Sequence, residues 1–223
     1  MFQLYDPARG HAEPVRPARP GELRIWVAGG LRALVLADLI RRVAQRQHLR
    51  VTIWQQDAAT TNGLNVYPAE FSGRPPDPFD LVIGQANEPG SGTPPRRMEP
   101  GPVRPEAPDV GGLDPLALRL ALLEHPYREP AVLARDALGA ADETLRRWRG
   151  LVAGWAAEPS KPVSARYVSD VLGALDDDLD TPAVLHALEA LAADGGVPPG
   201  SRFETFAHLD QLVGLDLARD VGR

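Results

Sequence analysis

The spacing of apolar positions changes along the chain. Leu23-Arg24-Ile25-Trp26-Val27 is a short apolar run that stops at Gly29-Gly30, which predicts a strand followed by a tight turn. From Leu31 to Gln47, positions Leu31, Leu34, Val35, Asp38, Leu39, Arg42 and Val43 recur at helical spacing, so the apolar members can face a sheet. Arg50-Val51-Thr52-Ile53-Trp54 is β-branched and predicts a second strand. Strand, helix and strand within about 30 residues make a βαβ unit, whose strands run parallel. Phe79-Asp80-Leu81-Val82-Ile83, closed by Gly84, predicts a third strand.

Residues 72–112 hold ten prolines and seven glycines, and outside 79–83 nothing in them is periodic. The prolines break helices and central strands, so 85–112 reads as a linker. From Asp114 the pattern is helical. Asp114-Pro115 is an N-cap followed by proline at the first helical position. Leu116, Leu120 and Leu123 share a face. Leu138, Ala141, Leu145, Trp148, Val152 and Trp155 form a long stripe, and Val168, Val171, Leu172 and Leu175 another. Asp180-Thr181-Pro182 opens a helix that Gly195-Gly196 ends, and Phe203, Phe206, Leu209 and Leu212 mark the last. The fold class expected is α/β plus all-α: a reduced three-stranded parallel Rossmann-like half over 1–84, the linker 85–112, and a bundle of about five helices over 113–223.

Composition narrows the function. The 223 residues include no cysteine, which excludes disulfides, thiolate metal sites and thiol nucleophiles. Only Lys161 among the 24 basic residues is a lysine, so any mechanism that needs two lysines is excluded. Residues 1–110 carry net charge +1 and residues 111–223 carry −7, which makes the helical half a poor surface for tRNA or any other phosphate backbone. No apolar run approaches the ~18 residues of a membrane span. Met1–Gly10 has no apolar leader, so a soluble cytoplasmic protein is expected.

Few motifs carry chemistry. Gly29-Gly30 lies between strand and helix, where free N–H groups and the helix dipole can hold phosphate; a plain tight turn fits the same residues. Asp176-Asp177-Asp178-Leu179-Asp180 lacks the ligand spacing of a calcium loop and reads better as capping and solvation. His11, His48, His125, His186 and His208 form no ligand pair, so no metal site is expected. Trp148 within Arg146-Arg147-Trp148-Arg149 lies on the apolar stripe and reads as packing among solvated arginines.

Three stretches carry a family likeness. They are Leu4-Tyr5-Asp6-Pro7 through Val27; Gly29 to Arg42 with Val51 to Gln56; and Asp114 to Leu123 with Tyr127-Arg128, continued by Ala174 to Pro182. In these the chain resembles the cysteine-activating branch of class I aminoacyl-tRNA synthetases, which holds cysteinyl-tRNA synthetase and the shorter mycothiol-pathway cysteine ligase. Leu212 to Leu217 resembles the place where the short ligase ends. The likeness implies ATP-dependent adenylation of cysteine at a zinc site. The departures deny it. Ala28 stands where the family has a zinc-ligand cysteine. The loop with the HIGH-type histidines is absent, and Gly30 falls at its last position. Arg97-Met98-Glu99-Pro100 stands for the KMSKS-type loop without its lysines, and Asp57-Ala58-Ala59-Thr60 replaces a Thr-Asp-rich stretch. Most of the catalytic insertion is missing between Tyr67 and Asp80.

The expectation is a degenerate, truncated paralogue without ordinary adenylation activity, acting as a binding or accessory protein with no zinc. ATP or an aminoacyl-adenylate would bind through Gly29, Gly30, Arg32, Gln55 and Gly84, and a protein partner or a second copy would complete the thin sheet. The alternative is an active ligase with a rebuilt or partner-completed site, in which Arg96 and Arg97 join Arg32 and Gln55 around the strand ends.

Overall fold

A computed structural model of the chain describes residues 2–7, 9–56, 63–76, 78–85, 95–106 and 108–223. The chain opens with an antiparallel hairpin, β1 (Gln3–Asp6) and β2 (His11–Pro14), turned at Gly10. Then come β3 (Glu22–Ala28), α1 (Leu31–Arg46), β4 (Arg50–Gln55), β5 (Phe71–Ser72), β6 (Leu81–Gly84) and β7 (Arg96–Met98). These strands form one parallel sheet in the order β5-β4-β3-β6-β7. The three expected strands are its centre, and two short strands extend it to five. Neither addition has an apolar run to announce it. β5 is two residues long, and β7 reads Arg-Arg-Met inside the stretch expected to be a linker.

Alternation along the strands divides the sheet into two faces. Leu23, Ile25, Val27, Ile53, Leu81 and Ile83 join the main core with α1. Trp26, Ala28, Trp54, Phe79 and Val82 form a smaller cluster of their own on the opposite face. α1 is buried from Arg32 to Ala44 because a second layer covers the side turned away from the sheet.

That layer is helical. β8 (Val103–Arg104) pairs with β9 (Ala131–Val132), with α2 (Pro115–Leu123) between them in the chain. There follow α3 (Arg135–Trp155), α4 (Ala165–Asp176), α5 (Thr181–Ala193) and α6 (Pro199–Val213), giving the five expected helices. Asp114 caps α2 by accepting from Leu116 N at 2.8 Å, and Asp180 caps α5 by accepting from Ala183 N at 3.0 Å. The α3 stripe is buried throughout, with Trp148 and Trp155 set against Phe206 of α6. The main core runs unbroken from Ile25 in the sheet to Leu209 in α6. Among the described residues, no helix is long and apolar enough to cross a membrane.

Candidate functional site

Parallel register places the carboxyl ends of the central strands side by side: Val27 pairs with Gln55 and Ala28 with Gly84. Ligands of open α/β sheets sit at this edge. Gly84 has φ +103°, and a Cβ there would lie 2.3 Å from the Ala28 carbonyl oxygen, so only glycine lets β6 leave the sheet here. A Cβ on Gly29 would lie 3.5 Å from the Gly84 Cα. Gly30 is the N-cap residue of α1; no side chain caps the helix, and its first turn holds no acid. Gly29, Gly30, Gln55 and Gly84 are therefore gathered where the first N–H groups of α1 and its positive dipole end emerge.

The three arginines expected near this site are placed otherwise. Arg32, in the first turn of α1, is buried and donates to the carbonyls of Gly101 (3.0 Å), Pro126 (2.8 Å), His125 and Glu129. Burial pushes its guanidinium below the ordinary arginine value, with the Glu129 charge opposing. Its work is to hold the loop before β9 and the turn before β8 against α1. Arg96 and Arg97 lie in β7 opposite Leu81 and Val82, short of the level of Gly84. Arg96 donates to the carbonyls of Glu13 (2.7 Å) and Leu4 (3.3 Å), which ties the β1–β2 hairpin to the sheet.

The charge of the edge follows. The described ends of the central strands present glycines and the amides Gln55, Gln56 and Gln85, and β5 runs on through Gly73 into the exposed Arg74. The segments that continue from them, residues 57–62 and 86–94, lie outside the described residues, Asp57 to Thr60 included. Their sequences, Asp-Ala-Ala-Thr-Thr-Asn and Ala-Asn-Glu-Pro-Gly-Ser-Gly-Thr-Pro, contain two carboxylates and no Lys, Arg or His. Ala28 is buried in the Trp26–Trp54–Phe79 cluster. Among the described residues, no group of three His, Asp or Glu side chains is placed to hold a metal ion.

The strongest electrostatic feature lies elsewhere. Asp38 of α1, fully buried, accepts from Arg42 Nε at 2.8 Å and Arg119 Nη2 at 2.7 Å. The two guanidiniums also reach the carbonyls of Asn65, Gln211 and Val213. This joins the sheet layer to the C-terminal end of α6, where cations are favoured. The signal in the sequence was a charged pair, Asp38 and Arg42, four residues apart on an apolar face. The aspartate run is also structural. Asp176 binds Arg46 at 3.0 Å, and Asp178 accepts from Tyr5 N and Tyr127 Oη, both at 2.7 Å. Trp148 is packed as expected, but Arg149 is buried rather than solvated, bonded to Asp114 and to the carbonyls of Leu215 and Asp216.

No family model matches the chain. Curated proteins do. The L-cysteine:1D-myo-inositol 2-amino-2-deoxy-alpha-D-glucopyranoside ligase of Streptomyces griseus is 39% identical over 110 residues, 48% of this chain and 26% of that protein. The ligases of the same name from Gordonia bronchialis and Mycolicibacterium smegmatis are 38% and 36% identical over similar lengths. This chain is similar to the cysteine ligases. The match spans about half of the chain and about a quarter of the length of these relatives. The similarity accords with a truncated paralogue of the cysteine ligases.

Proposed function

We propose that the chain is a catalytically degenerate relative of the cysteine ligases that binds an adenosine nucleotide or aminoacyl-adenylate without forming one. The observation that supports this is the charge of the carboxyl edge. Adenylation builds negative charge on a departing pyrophosphate, and each preorganised contact to such charge is typically worth ~10²–10³ in rate. Here the first-turn arginine is consumed by carbonyls, the charged side chains in the sequences continuing from β4 and β6 are carboxylates, and Arg74 after β5 is an arginine the edge keeps. What the edge keeps suits binding: an uncapped helix start, two adjacent glycines and three amides. Recognition of cysteine through zinc is not expected, because thiolate ligands are absent from the chain.

Calorimetric titration of the purified protein with a non-hydrolysable cysteinyl-adenylate analogue tests the reading. Saturable micromolar binding, lost when Gly30 is replaced by Glu, is the expected result. No heat at millimolar analogue would overturn it.

A further inference from the structure

Lysine occurs once in the chain. Of the 24 basic residues, 23 are arginines and Lys161 is the exception. At an exposed position the two cations serve solubility and ion pairing alike. They differ in chemistry: an ε-amine can give up its proton and attack an acyl carbon, whereas a guanidinium stays protonated. The chain meets every other need for positive charge with arginine and keeps an amine at one place.

That place is the loop between α3 and α4. Glu158 to Pro162 are exposed throughout, and Pro159 and Pro162 bracket Ser160 and Lys161. Each proline fixes its own φ and turns the residue before it away from helix. The loop is fastened to α6. Ser160 Oγ donates to Glu204 Oε1 at 2.6 Å, Ser201 Oγ donates to the carbonyl of Pro162, and Ser164 N donates to Thr205 Oγ1 at 2.9 Å. Gly200 lets the loop lie this close, since a Cβ there would collide with the Pro159 carbonyl oxygen. Lys161 takes no part in these ties. Among the described residues its ammonium has no carboxylate partner and its N–H no acceptor. The amine therefore stands on a fixed, exposed stretch whose main chain at Lys161 is unspent. An enzyme that grips a substrate strand by its main chain can take such a stretch into its cleft.

We propose that Lys161 is a site of covalent acylation by an enzyme that transfers a small acyl group from a thioester. The deprotonated ε-amine attacks the acyl carbon and an amide C–N bond forms. The thiolate departs with the electrons of the broken C–S bond, and the proton of the amine passes to solvent. The residue loses its charge, and nothing in the proposal depends on the nucleotide edge. Peptide mass spectrometry of the chain isolated from the cells that make it is the test, with two variants alongside. An acyl group on Lys161 is expected, and none at this position in Lys161→Arg. Combining Lys161→Arg with Arg166→Lys moves the amine onto α4, where the helix holds the main chain, and its acylation should be at least tenfold lower. Both side chains are exposed, so circular dichroism of the variants should match the parent protein. An unmodified Lys161 in growing and in stationary cells, or equal acylation of the displaced lysine, would overturn the proposal.

Discussion

Asp38 and Arg119 are 81 residues apart in the chain, and their side chains meet at 2.7 Å with neither exposed to solvent. Between them they close the joint of the molecule. Asp38 stands on the helix that covers the sheet, and Arg119 on the first helix of the bundle. Arg119 continues to the carbonyls of Val213 and Leu64, so one guanidinium fastens three parts of the chain.

Removing one partner of a buried ion pair leaves an uncompensated charge and typically costs ~3–5 kcal/mol. Asp38→Ala strands two guanidiniums. Urea denaturation should show a loss of that order, and a loss under about 1 kcal/mol would mean that water reaches the joint.

Gly84 and Gly30 should respond differently to alanine. A Cβ at Gly84 meets the Ala28 carbonyl carbon at 2.7 Å and requires φ +103° of an L residue. Gly84→Ala should cost about 2 kcal/mol or more. A Cβ at Gly30 meets nothing within 4 Å. Gly30→Ala should cost about 1 kcal/mol or less, since alanine is only a poorer N-cap than glycine. Thermal melts of the two variants make the comparison.

Arg32→Met separates a structural arginine from a binding one. It removes a guanidinium that four carbonyls share, and hydrogen bonds to a charged group are worth about 1.5–3 kcal/mol each. Stability should fall by about 2 kcal/mol or more while affinity for the adenylate analogue changes by less than about twofold. A large loss of affinity in a variant that still folds would put Arg32 back at the ligand.

Acid should act through Asp114. Burial pushes this carboxyl up, but the Arg149 hydrogen bond, the Leu116 N–H and the charges of Arg149 and Arg219 outweigh it. The net result lies below the ordinary aspartate value of 3.8. A carboxyl lowered by folding adds stability that is fully present above its unfolded value and is lost as pH falls through the folded one. Asp114→Asn should therefore be less stable than the parent at neutral pH, and the gap should narrow as pH falls below the ordinary aspartate value, as urea titrations at neutral and acid pH would show.

The central fold was legible because its signals are local. β3, α1 and β4 announce themselves by period, and Asp114 and Asp180 by cap chemistry, and each stands within a residue or two of its expected bound. β5 and β7 were not legible. They exist because β4 and β6 offer them open edges, and nothing in Phe71-Ser72 or Arg96-Arg97-Met98 requires a strand. The glycines of the candidate edge could be placed from the strand ends alone. The arginines could not, since a guanidinium reaches far enough that its partners are set by tertiary packing. Arg32 found carbonyls some 70 to 100 residues away.

The proposed function turns on the loss of adenylation activity. Cysteine-dependent exchange of labelled pyrophosphate into ATP by the purified chain tests it most directly, with an active cysteine ligase as the positive control. The account predicts no exchange above the rate without enzyme, with or without added zinc. Robust exchange that depends on cysteine would contradict it and would establish an active ligase with a rebuilt site.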